Sequence, residues 1–385
     1  MSLPYLQPYF GLSNSLQTAQ AAGGGAGGIG GWVELARTTL SSSSNSIDIT
    51  SLPDKRYYML IGHKIPTGSA DFVWRVGNST IDTGSNYASR FSDNGGADGT
   101  QTSNNKLLGD NGGSTTPSIQ LGYISNLSNK EKLYIGHATT QNTAGAGTAP
   151  IRRESVAKWT NTSNVIDTIS GIQQESGSFA SGSEAIILGW DPADTHTTNF
   201  WEELASVSGT SVTSLSTGTF TAKKYLWVQA HFTGGGNAEI QVGNGTIDTG
   251  SNYAWRNNTN GGSDAALTSH SKLFSFSANS ATAGGAFLNC FMINNASNEK
   301  LAIAHTVEAE SAGAGTAPNR GEKVGKWANT SNQINIIKMK DDNETQAYDT
   351  CLIKVWGANW WKFVLKIIVR VNHYVILVIR YNMEW

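Results

Sequence analysis

The sequence is poor in charged residues. Lysine, arginine, aspartate and glutamate make up 15% of the 385 residues, and the formal net charge is −2. No basic block or stripe stands out in the body of the chain, and such a stripe is the usual footprint of nucleic-acid binding. We therefore expect no nucleic-acid partner.

The chain also lacks long segments with helical periodicity and any obvious leader. Its first residues contain neither a basic stretch nor the apolar stretch of a secretory signal, so none is expected. Short runs rich in β-branched and aromatic residues are instead separated by loops of glycine, asparagine and serine, and there are 43 glycines. This pattern predicts many short strands joined by turns.

The most informative feature of the sequence is an internal duplication. The octapeptide IDTGSNYA occurs at 81–88 and again at 247–254, and AGAGTAP occurs at 144–150 and 312–318. KWTNTSN at 158–164 returns as KWANTSN at 326–332. A period of this length is a whole domain and far exceeds the roughly 20–50 residues of a solenoid unit. The chain is therefore predicted to hold two copies of one domain.

Cysteine is almost absent. The two cysteines, Cys290 and Cys351, both lie in the second copy, and their counterparts in the first are Gly122 and Ser183. The fold is thus expected to form without a disulfide there. We expect both thiols to be small core residues, with a disulfide as the less favoured alternative.

About eight strands per copy favour two tandem antiparallel β-sandwiches of jelly-roll type, an all-β fold. The expected boundaries are residues 32–191 for the first domain and 201–357 for the second, joined by a polar linker at 192–200. Residues 358–385 have no counterpart in the first copy. Their basic residues recur every four positions, as on a helix face, whereas their valines and isoleucines favour strands. We assign this extension no role, and its charges make it a poor membrane span.

The chain begins with a short segment rich in aromatics and proline, residues 1–22, followed by a glycine-rich linker at 23–31. Disordered tails are normally poor in aromatics, so we interpret the segment as an arm that docks on a partner. The alternative is a disordered terminus. The residues predicted to make the docking contact are Tyr5, Leu6, Tyr9 and Phe10.

Two Asp-Thr-Gly-Ser motifs suggest an enzyme. Pepsin-like aspartic proteases use one Asp-Thr-Gly in each lobe, and Asp82 and Asp248 would then form the dyad. In that family the aspartate follows an apolar strand, whereas turn residues precede it here. We therefore favour a loop in which the aspartate caps turn amides and Gly84 or Gly250 supplies a positive φ.

A second duplicated set could bind a metal. Imidazoles and a carboxylate are suitable zinc ligands, but no HxH or HExxH motif brings these residues together. We therefore expect polar groups at strand ends, and neither a metal site nor a cofactor. The set comprises His63, His137 and Glu154 with their counterparts His231, His305 and Glu322.

Duplicated aromatic residues suggest a ligand-binding surface. A tryptophan beside a lysine or arginine can stack on a sugar ring. The alternative, which we favour, is a core tryptophan flanked by basic side chains. The candidate ligand-binding residues are Trp159, Trp327, Tyr87 and Tyr253, with the basic residues Arg152, Arg320, Lys158 and Lys326 nearby.

Four motifs of the body resemble a domain widespread in virion proteins of tailed bacteriophages. They are WVELARTTL (32–40), ITSLPDKRYYMLIG (49–62), RVGNSTIDTGSNYASR (75–90) and GSFASGSEAIILGW (177–190), with WEELASVSG (201–209) and QVGNGTIDTGSNYAWR (241–256) in the second copy. The N-terminal arm is similar to attachment peptides of phage fibre or decoration proteins. The resemblance carries no catalytic residues.

The resemblance implies a non-enzymatic particle component. Its expected location is the virion. Its expected partners are capsid or tail proteins and a host-surface glycan. The chain is also expected to form a homo-oligomer, with a trimer favoured. No membrane partner is expected. The alternatives are a glycan-binding, lectin-like module with exposed Tyr87 and Tyr253, and, less favoured, the aspartic protease.

Overall fold

A computed structural model describes residues 31–110, 114–192, 194, 199–277, 285–309 and 316–359, and the backbone of 367–371 and 374–379. Every regular element in these ranges is a β-strand, which confirms the all-β prediction. The described part of the chain contains no helix of the length and hydropathy that a membrane span requires.

Twelve antiparallel strands build the first domain, four more than the sequence predicted. Eight form one sheet, in the order β1-β12-β3-β8-β9-β10-β6-β7, and four form the opposing sheet, β2-β11-β4-β5. The strands are β1 (Val33–Thr39), β2 (Ser46–Ile49), β3 (Tyr57–Lys64), β4 (Val73–Asn78), β5 (Thr80–Ile81), β6 (Tyr87–Asp93), β7 (Gly99–Asn104), β8 (Ser118–Ser125), β9 (Lys132–Thr140), β10 (Ile151–Trp159), β11 (Thr168–Ile172) and β12 (Glu184–Trp190).

The second domain repeats this order strand for strand. Its sheets run β13-β25-β15-β21-β22-β23-β18-β19 and β14-β24-β16-β17, and one added strand, β20, pairs with β16. The strands are β13 (Glu202–Gly209), β14 (Ser214–Ser216), β15 (Tyr225–Gly234), β16 (Asn237–Asn244), β17 (Thr246–Ile247), β18 (Tyr253–Thr259), β19 (Ala265–His270), β20 (Phe274–Ser277), β21 (Gly285–Ile293), β22 (Lys300–Glu308), β23 (Asn319–Trp327), β24 (Ile336–Asp341) and β25 (Tyr348–Ala358).

Some of the additional strands are very short or polar. The edge strand β7, for example, reads GTQTSN, and its side chains are largely exposed. A polar edge strand buries little apolar surface, so it lacks the alternation that marks a half-buried strand. Such strands account for part of the difference between the predicted and the observed number of strands.

Each domain is a sandwich with its own apolar core between its two sheets. In the first domain, Tyr58, Leu60 and Ile187 of the large sheet face Trp74 and Ile169 of the small sheet. The second core is built in the same way and includes both cysteines, which are free thiols and buried, as the sequence predicted. The two tandem jelly-roll-like sandwiches are thus confirmed.

The run EAIILGW of β12 is buried along almost its whole length. Side chains alternate between the two faces of a strand, so a continuous buried run means that both faces of the sheet are covered. Ile187 points into the domain's own core, whereas Ile186 and Leu188 join a third cluster that includes residues of the second domain. The large sheets of the two domains therefore pack against each other.

Beyond the second domain the backbone forms a further antiparallel hairpin, β26 (Ile367–Val371) and β27 (Tyr374–Ile379). Of the two patterns in the C-terminal extension, the strand pattern is the one this backbone follows. The predicted docking arm lies outside the described residues.

Candidate functional site

The face between the two large sheets, which we call the domain seam, is the most distinctive surface of the molecule. Its centre is apolar and aromatic. The first domain contributes Met59, Ile61, Ile186 and Leu188, and the second contributes a set of tryptophans. Trp227 lies 5.0 Å from Trp356 and 5.8 Å from Trp201, measured between ring centroids. The two domains thus form one body of four sheet layers.

One end of the seam is closed by a fully buried carboxylate. Glu184 of β12 has no exposed side-chain surface, and it accepts hydrogen bonds from donors in both domains. Arg37 of the first domain lies 2.6 Å away, and Lys224 and Tyr225 of the second lie 2.7 Å and 3.0 Å away. Buried charge is tolerated because every member of this group is partnered.

The opposite end of the seam brings duplicated residues of the two copies into contact. The rings of His137 and His305 lie 4.4 Å apart, edge to face. Within each domain the histidine is the cross-strand neighbour of a glutamate: His137 pairs with Glu154, and His305 pairs with Glu322. Glu154 also crosses the seam, with its Oε1 3.9 Å from His305 Nε2. We call these four residues the His–Glu cluster.

Arg152 of β10 links the two domains at this end of the seam. Its Nη1 lies 2.6 Å from Glu154 Oε1 and donates to Glu322 Oε2 at 2.9 Å. Its Nη2 and Nε donate to the two carboxylate oxygens of Asp264 at 2.7 Å and 3.2 Å. The side chain is 3% exposed. One guanidinium therefore joins carboxylates from both domains, with the bidentate geometry in which arginine binds most strongly.

The electrostatics of the cluster follow from burial and close charges. Burial and the neighbouring His305 lower the pKa of His137 to about 3, so its imidazole is neutral. Burial alone would raise the pKa of Glu154, but the nearby His305 imidazole and the Arg152 charge lower it to about 2. Burial and the adjacent Glu154 raise the pKa of Glu322. The cluster thus offers the neutral imidazole of His137 beside the ionised carboxylate of Glu154.

This arrangement corrects the expectation that the duplicated histidines and glutamates stay apart. Ligand atoms of His137, Glu154 and His305 all lie within 4.8 Å of one another. His63 is elsewhere in the seam, buried beside Lys224, and His231 is exposed. The sequence did contain one usable signal. The histidine and glutamate are separated by the same number of residues in both copies, as cross-strand partners of one hairpin must be. The contact between His137 of one copy and His305 of the other could not be predicted from local sequence.

The two Asp-Thr-Gly-Ser motifs lie in equivalent turns, one in each domain. Asp82 accepts hydrogen bonds from Gly84 N, Asn86 Nδ2 and the indole of Trp159, all within 2.9 Å. Asp248 accepts the same three bonds from Gly250, Asn252 and Trp327. Each carboxylate is thus hydrogen-bonded to donors of its own domain. This supports the capping interpretation and argues against a dyad in which Asp82 and Asp248 share one proton.

One detail of that interpretation was wrong. Gly84 and Gly250 do not adopt positive φ; in the adjoining turns that residue is Ser79, with φ 63°, and Gly245, with φ 70°. Burial alone would raise the pKa of Asp82, but the Trp159, Asn86 and Gly84 hydrogen bonds bring it below its ordinary value. The pKa of Asp248 is lowered against burial by the equivalent donors.

The candidate ligand-binding aromatics prove to be structural. The expectation that Tyr87 and Tyr253 are exposed is wrong, since they are 1% and 0% exposed. The Tyr87 hydroxyl lies within donating distance of Val76 O (2.7 Å) and Asp82 O (2.9 Å). Trp159 and Trp327 are each 2% exposed, so the core alternative holds for them. Buried rings cannot stack on a sugar.

The basic residues beside these tryptophans differ between copies. Lys158 is 43% exposed and pairs with Glu131, whereas Lys326 is fully buried in the seam and donates to Gln141 O at 3.1 Å. The predicted docking residues Tyr5, Leu6, Tyr9 and Phe10 lie outside the described residues.

No protein-family model matches the chain, and neither does any curated protein. Among solved structures, domains LG4-5 of the mouse laminin alpha1 chain share 9% identity, with 87% of this chain and 92% of that chain covered and a TM-score of 0.20. Neisserial surface protein A shares 8% identity, with 74% and 96% covered and a TM-score of 0.12. At these TM-scores neither likeness bears on function.

Proposed function

We propose that this protein is a structural component of a tailed-bacteriophage virion, of the fibre or decoration type. Its N-terminal arm docks on capsid or tail through Tyr5, Leu6, Tyr9 and Phe10. The four-layer body projects from the particle on the glycine-rich linker, and host-surface adhesion is a further role of the body. The proposal rests on the sequence resemblance, and the fused double sandwich supports it as a rigid, self-contained projection.

The observation that best supports a partner-binding role is an apolar strip on the large sheet of the first domain. Leu133, Ile135 and Val156 are 58%, 47% and 48% exposed, and Ile135 is the cross-strand neighbour of Val156. Exposed apolar groups that lie together mark interaction surfaces. We call this group the exposed strip.

The equivalent residues of the second copy indicate what kind of contact the exposed strip makes. Its equivalents, Leu301, Ile303 and Val324, are 1–3% exposed because they pack in the seam. The same positions of this fold thus already serve as a domain–domain contact. We infer that in the first domain they contact a second copy of the chain, as expected for a homo-oligomeric virion appendage.

Two experiments test the proposal separately. Deletion of residues 1–22 should abolish incorporation into particles while leaving the body folded; normal incorporation would overturn the docking role. Light scattering of the purified chain tests the strip. The double change Ile135→Glu with Val156→Lys should reduce the oligomer to a monomer. Thr100→Glu, at an exposed position of the same sheet, is the control and should leave the mass unchanged. A wild-type monomer would contradict the strip contact.

A further inference from the structure

We propose that the His–Glu cluster binds one divalent transition-metal ion, of the Zn²⁺ class, through His137, Glu154 and His305. The ion would cross-link the two domains at the end of the seam opposite Glu184. This inference is independent of the virion proposal, because it concerns the folded body alone.

The donor set fits such an ion. Two imidazoles and one carboxylate with an open fourth position is a recurrent zinc arrangement, and imidazole also suits nickel, cobalt and copper. The three ligand atoms lie within 4.8 Å of one another. Tetrahedral zinc with bonds of about 2.1 Å places its ligand atoms roughly 3.4 Å apart. Side-chain rotations that move the ligand atoms by about 1 Å would therefore bring them to coordination distance.

One imidazole nitrogen is available without breaking a bond. His137 Nδ1 is buried and has no hydrogen-bond partner among the described residues. A buried polar atom without a partner is costly, and a bound ion would satisfy it. His305 faces it across the seam, so the two nitrogens come from different domains.

The neighbouring cations do not block the site. Arg152, Arg153 and Lys323 line the same cavity. Each has a carboxylate partner other than Glu154: Arg152 binds Asp264, Arg153 binds Asp93 at 2.7 Å, and Lys323 lies 3.9 Å from Glu308.

Glu154 can therefore turn away from Arg152 without leaving that guanidinium unpaired. Arg152 would keep Asp264 and Glu322 if Glu154 turned toward an ion. An ion would also screen the repulsion between Glu154 and Glu322, which now face each other across the seam.

The test uses the purified full-length chain, freed of metal with a chelator and titrated with Zn²⁺ by calorimetry. We expect one site per chain with micromolar or tighter affinity, no comparable heat with Mg²⁺, and a rise in Tm of about 3–6 °C at saturation. His137→Gln and His305→Gln should each weaken binding by at least about 100-fold. His231→Gln, at an exposed position, is the matched control and should bind like the wild type. Absence of binding, or equal binding by all variants, would overturn the proposal.

A second measurement covers the case in which a variant fails to fold. Co²⁺ bound to the wild-type chain should give the visible absorption of a tetrahedral site. X-ray absorption of the Zn²⁺ form should show two imidazoles among the ligands. A shell with one imidazole or none would place the ion elsewhere and refute this site.

Discussion

Arg152 and Arg320 are equivalent residues with opposite environments. The Arg152 guanidinium is 3% exposed and joins carboxylates of both domains, whereas Arg320 is 62% exposed and lies 3.4 Å from Glu322 of its own domain. The duplication therefore supplies Arg320 as a matched control for Arg152.

The first prediction concerns this pair. Arg152→Met removes the guanidinium that the buried carboxylate of Asp264 binds at the seam, so we expect the free energy of unfolding to fall by about 3–5 kcal/mol. Arg320→Met should change it by less than about 0.5 kcal/mol, as for an exposed pair. Urea unfolding of both variants measures the difference. An equal loss of stability in the two variants would show that Arg152 does not stabilise the contact between the domains.

The second prediction concerns the aromatic centre of the seam. Trp201 is 8% exposed and packs on Trp227 and Phe291. Trp201→Ala should cost about 3–5 kcal/mol, because it removes a large buried side chain and leaves a cavity. Trp32, its counterpart in the first copy, is only partly buried, and Trp32→Ala should cost clearly less. Thermal unfolding of the two variants gives the comparison; a reversed order would contradict the packing described here.

The third prediction separates a structural from a ligand-binding role for Tyr87 and Tyr253. Each hydroxyl donates to a backbone carbonyl of a neighbouring strand in its own domain. Tyr87→Phe and Tyr253→Phe should each lower the free energy of unfolding by about 1–2 kcal/mol, the cost of leaving a buried partner unsatisfied. Tyr57→Phe, on a partly exposed ring that stacks on Trp190, should be nearly neutral. A glycan array should give the same signals for all three variants, and selective loss with Tyr87→Phe would restore the lectin alternative.

The fourth prediction concerns acid stability. Burial, with the charge of Lys224 across the seam, lowers the pKa of His63 to about 3. Its unfolded value is about 6.5, so the unfolded chain binds the extra proton as the pH falls. The stability from neutral His63 is therefore complete above about pH 6.5 and declines toward pH 3.

Between pH 6.5 and pH 5 this decline amounts to roughly 2 kcal/mol. His63→Gln should remove that part of the pH dependence. His231→Gln, on the exposed counterpart, should retain it. Urea midpoints at pH 7 and pH 5 provide the test. An unchanged slope in His63→Gln would mean that another group controls acid unfolding.

Local sequence was sufficient for the fold class, the duplication and the state of the cysteines. Side-chain alternation, turn residues and the repeated motifs all act over a few residues, and they specify strands and loops in both copies. Even the Asp82 cap was predictable, because a turn aspartate and the amides it binds are neighbours in the chain.

Tertiary structure decided which faces are covered. Leu133 and Leu301 lie in nearly identical segments, KLYIGH and KLAIAH, yet Leu133 is 58% exposed and Leu301 is 1% exposed. No local pattern distinguishes them. Their difference arises because one sheet can pack on the other along only one part of its face, and the fit is set by side chains far apart in the chain. The same packing brings His137 to His305, which the sequence alone could not place together.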